Sequence, residues 1–436
     1  MKNRKYEISL RVVKRLQKAG FEAYFAGGCV RDKIMHREPE DYDVATNAKP
    51  NQVIKLFKKT VTVGKAFGVI KVIDQGIDIE VTTFRTEGPY SDGRHPDKVS
   101  FSSLENDVLR RDFTINGMVY DPINNKIIDL VNGKADLKKK IIKCIGNPLE
   151  RFAEDKLRML RAIRFSVELG FKIEPKTLSA IKKSAKQIKV VSAERIRDEF
   201  KKMLVAPRRA EGIKLMDKTG LLKVILPEVV KLKGVKQPKQ FHPEGDVYVH
   251  TMKALERLVK PSFELAFATL LHDIGKPRAF MITDRIRFHE HERFGRDIAE
   301  KICDRFKLSN QEKDKVMWLV FKHMAFKDIE QMRVATMKRL FREPYYHELA
   351  QLHKVDRQAS DLDLKPHYYA IRMYKKLSKD ELKPKLLING YDLIRLGLKP
   401  GPIFTTILKK VEEAQLEKTV HNKKEALTLA KSIKVN

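Results

Sequence analysis

FAGGCVRDKIMHREPEDYDVAT, from Phe25 to Thr46, is the stretch that decides the fold. An apolar run closes on Gly27 and Gly28, a short helical stretch opens with Val30, Arg31 and Asp32, and a second extended run carries Asp41 and Asp43. A glycine pair lets backbone N–H groups approach a triphosphate closely, and a helix start behind it adds a dipole that favours anions. Arg31 can add charge-assisted bonds to the same phosphates. Carboxylates at i and i+2 of a strand share a face, so Asp41 and Asp43 can jointly grip hard cations such as magnesium. Two such ions, about 3.5 to 4 Å apart, would activate an attacking 3′-hydroxyl and stabilise a leaving pyrophosphate. Alone, a glycine pair is a turn and Asp-Tyr-Asp a solvated strand end; the order of the elements makes the motif specific. Glu80 shares its strand face with Asp78 and Thr82 and is the candidate third acid.

Outward from this stretch, short β-branched and aromatic runs between about Glu22 and Phe101 (EAYFAG, VTVGKAFGVIKVI, IDIEVTTF, KVSF) are broken by Gly, Asp and Pro and predict a compact sheet. After Asp107 apolar residues recur at three- and four-residue spacing to the end, which predicts an α+β region followed by an all-α one. Turn-forming residues cluster near Gly146 to Pro148, near Pro207, across Gly234 to Asp246, and near Asp361 to Pro366.

With 436 residues, 42% hydrophobic and 33% charged, the chain has the material for several folded domains and is far from the composition of disorder. No apolar run approaches a membrane span, and the amino terminus reads as a first helix. Three widely spaced cysteines, Cys29, Cys144 and Cys303, fit neither a disulfide framework nor a thiolate zinc site, and a cytoplasmic location is expected. A net charge of +32 favours a polyanionic partner such as RNA or DNA, although lysines scattered end to end also fit a Lys-rich proteome.

GGCVRD, then EDYDVAT, then RRDFTINGM (Arg110 to Met118) resembles the class II tRNA nucleotidyltransferases and the related bacterial poly(A) polymerases of the polymerase β superfamily. EDKLR (Glu154 to Arg158) and SAERIRDEF (Ser192 to Phe200) follow in the family's order, so the resemblance covers roughly the first 230 residues. It implies a polymerase β-like head with a mixed β-sheet at residues 1–140, a base-recognition neck at 141–206 and body helices at 207–245. It further implies that Gly27, Gly28 and Arg31 contact the nucleotide, Asp41 and Asp43 bind Mg2+ as a two-metal site, and Glu80 is the third acid. Arg111 would hold the triphosphate, while Asp112 and Asn116 would shape the pocket and link the head to the next segment. Gly117 departs from the Ala or Ser usual there, which predicts a locally looser turn.

In EDKLRMLRAIRF, Glu154, Asp155, Arg158, Arg161 and Arg164 recur at helical spacing, and several are expected on one face. An Asp carboxylate accepts from the exocyclic amine of cytosine or adenine while an Arg donates beside it; guanine and uracil present a carbonyl there. The resemblance gives this role to Asp155 and Arg158, with Glu154 bracing the Arg, and makes tRNA, CTP and ATP the partners. Glu87 to Phe101 reads as a long polar loop of the kind that forms lids, which in the family accompanies addition of the terminal A.

Towards the carboxy terminus, His250, His272 with Asp273, and Asp356 resemble the ligand order of the HD metal-dependent phosphohydrolases, expected at residues 246–362. Imidazole and carboxylate ligands suit Mn, Ni, Fe, Zn or Mg2+. His289, His291 and His323 could complete a second metal site or bind phosphate, and residues 363–436 read as basic helices that pack or contact tRNA. The resemblance implies a CCA-adding enzyme, and three alternatives stay open: a poly(A) polymerase or A-adding enzyme, an HD phosphohydrolase with a degenerate nucleotidyltransferase domain, and a basic RNA-binding scaffold.

Overall fold

A computed structural model describes residues 2–64, 68–88, 99–238, 240, 243, 245–283 and 285–433. The chain forms two compact units, Met1–Val230 and Lys231–Asn436.

The first unit opens with α1 (Lys2–Lys18), whose apolar stripe of Ile8, Val12, Val13 and Leu16 is buried. Eleven strands follow among the described residues: β1 (Ala23–Ala26), β2 (Asp43–Thr46), β3 (Thr60–Gly64), β4 (Val69–Asp74), β5 (Ile77–Thr83), β6 (Arg85–Glu87), β7 (Val99–Phe101), β8 (Val119–Asp121), β9 (Lys126–Ile128), and a short parallel pair, β10 (Ile141–Ile142) and β11 (Lys172–Ile173). Seven of them make one sheet in the order β3-β4-β5-β2-β1-β8-β9, while β6 and β7 pair separately. Only the β2–β5 pairing in that sheet is parallel, so the sheet is mixed, as the resemblance implies. Helix α2 (Gly28–Ile34) fills the connection between the central strands β1 and β2. Two helices of the same unit, α3 (Leu157–Leu169) and α4 (Ala193–Val205), pack on each other, and Leu160, Ile163, Phe200 and Met203 are among their buried residues.

The second unit is helical apart from a two-stranded ribbon at Phe280–Ile282 and Ile286–Phe288. Its first part packs α5 (Val247–Arg257), α6 (Phe263–Leu271), α7 (His291–Arg305), α8 (Asn310–Lys322) and α9 (Tyr346–Ala359). The later helices, expected as basic, gather an apolar core of their own around Ile388, Leu393, Ile407, Val411 and Ala426. No helix among the described residues is long and apolar enough to cross a membrane. The three cysteines are free and buried.

Candidate active site

In the first unit a cleft of about 1050 Å³ is lined by Gly27, Gly28, Arg31, Asp41, Asp43, Arg110, Arg111, Asp112, Asn116, Asp155, Arg158, Arg161 and Arg164 among others. Twelve residues singled out in the sequence for nucleotide or metal thus line one opening, although they span more than a hundred positions.

Gly27 has φ 76°, a conformation that favours glycine, and a Cβ there would stand 3.4 Å from the Arg111 guanidinium. The chain can therefore turn straight from β1 into α2. Asp43 begins β2, but Asp41 does not lie on the strand as expected; it precedes it, with 78% of its side chain exposed. Asp43 pairs with Ala26, the last residue of β1, so no strand residue is left opposite Asp41. Asp41 and Asp43 still both line the cleft. Glu80 stands on β5 and is exposed; Val44 pairs with Val81, so the parallel register sets Glu80 beside Asp43. The side chain of Asp43 opens onto the cleft, yet the surrounding protein withdraws solvent from it. This burial, with the charges of Glu80 and Asp41 and against Arg111, raises its carboxyl to about 6. The mutual repulsion of these acids, with hard oxygen ligands beside the cleft, fits a divalent cation.

The RRDFTINGM segment is built as a tie. Asp107, an acid not singled out from the sequence, is buried and accepts from both Arg110 (2.7 Å) and Arg111 (3.0 Å). Asp112 accepts from the Phe113 amide, from Asn116 and from Arg161. Asn116 in turn accepts from Arg31 at 2.9 Å. Gly117 does not loosen the turn: a Cβ there would meet Ile145 and Val131 side chains at 2.8 Å, so glycine is what lets the segment pack.

EDKLRMLRAIRF is not one helix. A helix ends at Glu154, Asp155 is extended (φ −131°, ψ 104°), and α3 starts at Leu157, because the Asp155 carboxylate accepts from the Leu157 amide and competes with continued helix. Glu154 Oε2 accepts from Arg158 Nη1 at 2.8 Å, and Arg158 Nη2 donates to the Arg110 carbonyl. Arg195 of α4 donates to Asp155 Oδ2 at 2.8 Å, and Glu199 of α4 accepts from Arg164 and Arg161. Phe165 lies under Arg31, Arg161 and Arg164, with the Arg164 guanidinium 3.9 Å from the ring centre. Sequence reasoning named the motif Ser192–Phe200 without assigning Arg195 or Glu199; their i,i+4 spacing was the available signal. The loop expected as a lid falls mainly on residues 89–98, outside the described residues.

The second unit brings together the residues expected to hold metal. His250 comes from α5, His272 and Asp273 follow α6, and Asp356 lies on α9. His291 opens α7 and His323 follows α8. Asp273 turns one oxygen to each side: Oδ2 lies 3.3 Å from His272 Nε2 and 3.9 Å from His250 Nε2, whereas Oδ1 lies 3.6 Å from His291 Nε2 and 3.8 Å from His323 Nε2. Two ligand triads, His250–His272–Asp273 and Asp273–His291–His323, thus share one carboxylate, and all five residues are buried. Asp356 Oδ1 lies 2.8 Å from His250 Nε2. His289 is exposed and belongs to neither triad.

The Nδ1 atoms of His272, His291 and His323 each lie 2.7 to 2.9 Å from a backbone carbonyl three residues earlier. A carbonyl only accepts, so Nδ1 carries the proton and Nε2 is left as the donor atom for a metal. The Nε2 separations of 3.3 Å (His250–His272) and 3.1 Å (His291–His323) are close to the about 3.4 Å that tetrahedral ligands at 2.0–2.1 Å would show. Burial, which depresses the His272 imidazole, is outweighed by Asp273 and Asp356, which push it up to about 10; the cluster favours a positive charge at its centre. Gly275 makes this approach feasible, since a Cβ there would lie 2.1 Å from the His291 carbonyl oxygen.

The mixed sheet, the acidic pair and the arginine-lined cleft are those of a nucleotidyltransferase. Residues 23–143 match the model of the poly A polymerase head domain, 170–232 a probable RNA and SrmB-binding site of polymerase A, and 294–430 a putative tRNA nucleotidyltransferase domain 2. The chain is 33% identical to the CCA-adding enzyme of Ligilactobacillus salivarius over 97% of its own length and 95% of the relative's. It is also 33% identical to that of Anoxybacillus flavithermus, over 98% and 96%. The crystal structure of the Bacillus stearothermophilus CCA-adding enzyme in complex with CTP superposes with a TM-score of 0.74 at 29% identity, covering 98% of this chain and 97% of that one. The chain belongs to the CCA-adding enzyme family.

Proposed function

We propose that this protein builds and repairs the 3′-terminal CCA of tRNA in the cytoplasm, from CTP and ATP, with Asp41 and Asp43 holding Mg2+ and Glu80 as the neighbouring third acid. The observation that carries the assignment of residues is the single cleft that Asp41 and Asp43 share with Asp155 and Arg158. Bound there, the divalent ions would supply activation of the 3′-hydroxyl and neutralisation of charge on the pyrophosphate. The chain's own residues do the rest. Gly27, Gly28, Arg31 and Arg111 cradle the triphosphate, and the bonds from Asn116 and Asp107 aim the two guanidiniums. Asp155 accepts from the amine of cytosine or adenine, and Arg158, held by Glu154, donates beside it. The Asp112–Arg161 and Glu199–Arg164 pairs fix that face relative to the sheet. Residues 1–140 act as head, 141–206 as neck and 207–245 as body.

The test is incubation with tRNA lacking CCA, with CTP alone, ATP alone and both. Sequential CC then A addition, abolished by Asp41→Ala, is expected; a long A tail on any RNA would instead favour a poly(A) polymerase.

A second reading is favoured by the shared carboxylate of Asp273. We infer that residues 246–362 hold two metal ions, of Mn, Ni, Fe, Zn or Mg, between His250, His272, Asp273 and Asp356 on one side and Asp273, His291 and His323 on the other. Their chemistry when bound is attack of water on a phosphoester, such as a 3′-phosphate or a 2′,3′-cyclic phosphate on damaged tRNA. Release of phosphate or opening of a cyclic phosphate by the full chain, lost in His272→Ala, tests it.

A further inference from the structure

The pair of acids at the cleft is approached by one side chain from outside the sheet. Lys5, in the first turns of α1, donates to Asp41 Oδ1 at 2.7 Å and to the Glu40 carbonyl at 3.0 Å. The next residue, Tyr6, meets Tyr42 edge-on with ring centres 5.5 Å apart, and Tyr42 lies 5.4 Å from Phe25 of β1. Tyr42 stands between the two acids in sequence, so α1 grips the Asp41-Tyr42-Asp43 segment twice: once through a ring and once through a charge. Three other cations near the acids have partners of their own. Arg111 is held by Asp107, Arg31 by Asp32 and Asn116, and Lys71, opposite Glu80 on β4, lies 3.5 Å from Asp78. Among the described residues neither Asp43 nor Glu80 makes an ion pair, and Lys5 is the cation bonded to Asp41.

An ammonium group 2.7 Å from a carboxylate oxygen takes up a lone pair that a divalent ion also needs. It offsets repulsion among Asp41, Asp43 and Glu80, yet both partners are substantially exposed (41% and 78% of the side chains), so the pair is weak enough to be exchanged.

We propose that Lys5 is a built-in counter-cation for the catalytic acids, occupying Asp41 when no divalent ion is bound and surrendering it as the metal loads. Lys5 is thus a positioning residue that sets the metal concentration at which the cleft becomes competent. This rests on the assignment of Asp41 and Asp43 as metal holders. The exchange needs no covalent step: the Lys5–Asp41 contact breaks, the metal–carboxylate contact forms, and the ammonium swings into solvent.

Mn2+ titration of the full chain without nucleotide, followed by electron paramagnetic resonance, tests the proposal, with Asp41→Asn defining the portion of binding that depends on this site and separating it from the second unit. Lys5→Ala and Lys5→Gln should tighten the Asp41-dependent Mn2+ binding about two- to fivefold, the effect of losing one exposed competing ion pair. The Mg2+ concentration for half-maximal CTP incorporation should fall by the same factor, and Lys5→Arg should match the unaltered protein. Lys5→Gln can still donate to the Glu40 carbonyl, so it reports on charge should Lys5→Ala disturb the helix. Unchanged or weaker Mn2+ binding in both variants would overturn the proposal while leaving the metal assignment intact. Mn2+ binding and CTP incorporation that are both unchanged in Asp41→Asn would overturn the metal assignment itself, and the counter-cation with it.

Discussion

Arg195 donates to the Oδ2 atom of Asp155 at 2.8 Å, so helix α4 holds by one bond the acid assigned to reading the base. The other Asp155 oxygen accepts from the Leu157 amide, and the side chain is fixed from two directions.

That relationship predicts a loss of selectivity rather than of folding. A charge-assisted bond of this kind contributes about 1.5–3 kcal/mol. If most of it serves to aim Asp155, Arg195→Ala should lower kcat/KM for CTP and ATP by about ten- to a hundredfold and raise misincorporation of UTP or GTP. Single-nucleotide incorporation assays with all four triphosphates check this; unchanged selectivity would remove Asp155 from base reading.

Acid should weaken metal holding at the cleft. The Asp43 carboxyl is raised to about 6, chiefly by burial and then by Glu80, and must be ionised to hold a cation. Because its folded value lies above the ordinary one, its own contribution to stability is present at low pH and lost as pH rises through about 6; metal affinity runs the opposite way. The Mg2+ requirement for CTP incorporation should therefore rise as pH falls from about 7 to about 5. Glu80→Gln removes a negative neighbour and should move that transition to lower pH. A transition that stays in place in Glu80→Gln contradicts the arrangement.

Metal stoichiometry distinguishes the carboxylates of the second unit. Asp273 faces both triads, whereas Asp356 contacts His250 and His272. Asp273→Asn should lose both ions and Asp356→Asn only one, read by elemental analysis of the purified full chain, with nucleotidyl transfer retained in each. Equal losses in the two variants would speak against a shared ligand.

Gly117→Ala should destabilise the protein, although the resemblance leads one to expect Ala or Ser there. The new methyl would lie 2.8 Å from Ile145 Cδ1 and Val131 Cγ2, and overpacking of this kind costs about 1–3 kcal/mol. Urea unfolding should show a lowered midpoint at unchanged slope; an unaltered midpoint would mean that those side chains rotate away freely.

Much was legible in the chain itself. Alternation of apolar residues marked the strands, three- and four-residue spacing marked the helices, and the order of Gly27, Gly28, Arg31, Asp41 and Asp43 pointed to phosphate and metal because those residue types have little other reason to follow one another. His250, His272, Asp273 and Asp356 could be grouped because imidazole and carboxylate are metal ligands whatever their surroundings.

What local sequence left open was everything that depends on residues far apart in the chain. Asp155 ends a helix instead of continuing one because its carboxylate has both an amide and Arg195 within reach, the latter forty residues away. Lys5, Asp107, Arg195 and Glu199 were not singled out, since lysines, arginines and acids are common on solvated helices and acquire meaning only from the partner that folding supplies. The sequence by itself determined the kinds of chemistry this chain carries; the tertiary structure decided which charges meet, because a charge–charge or hydrogen-bond contact acts over a few ångströms of space and is indifferent to distance along the backbone.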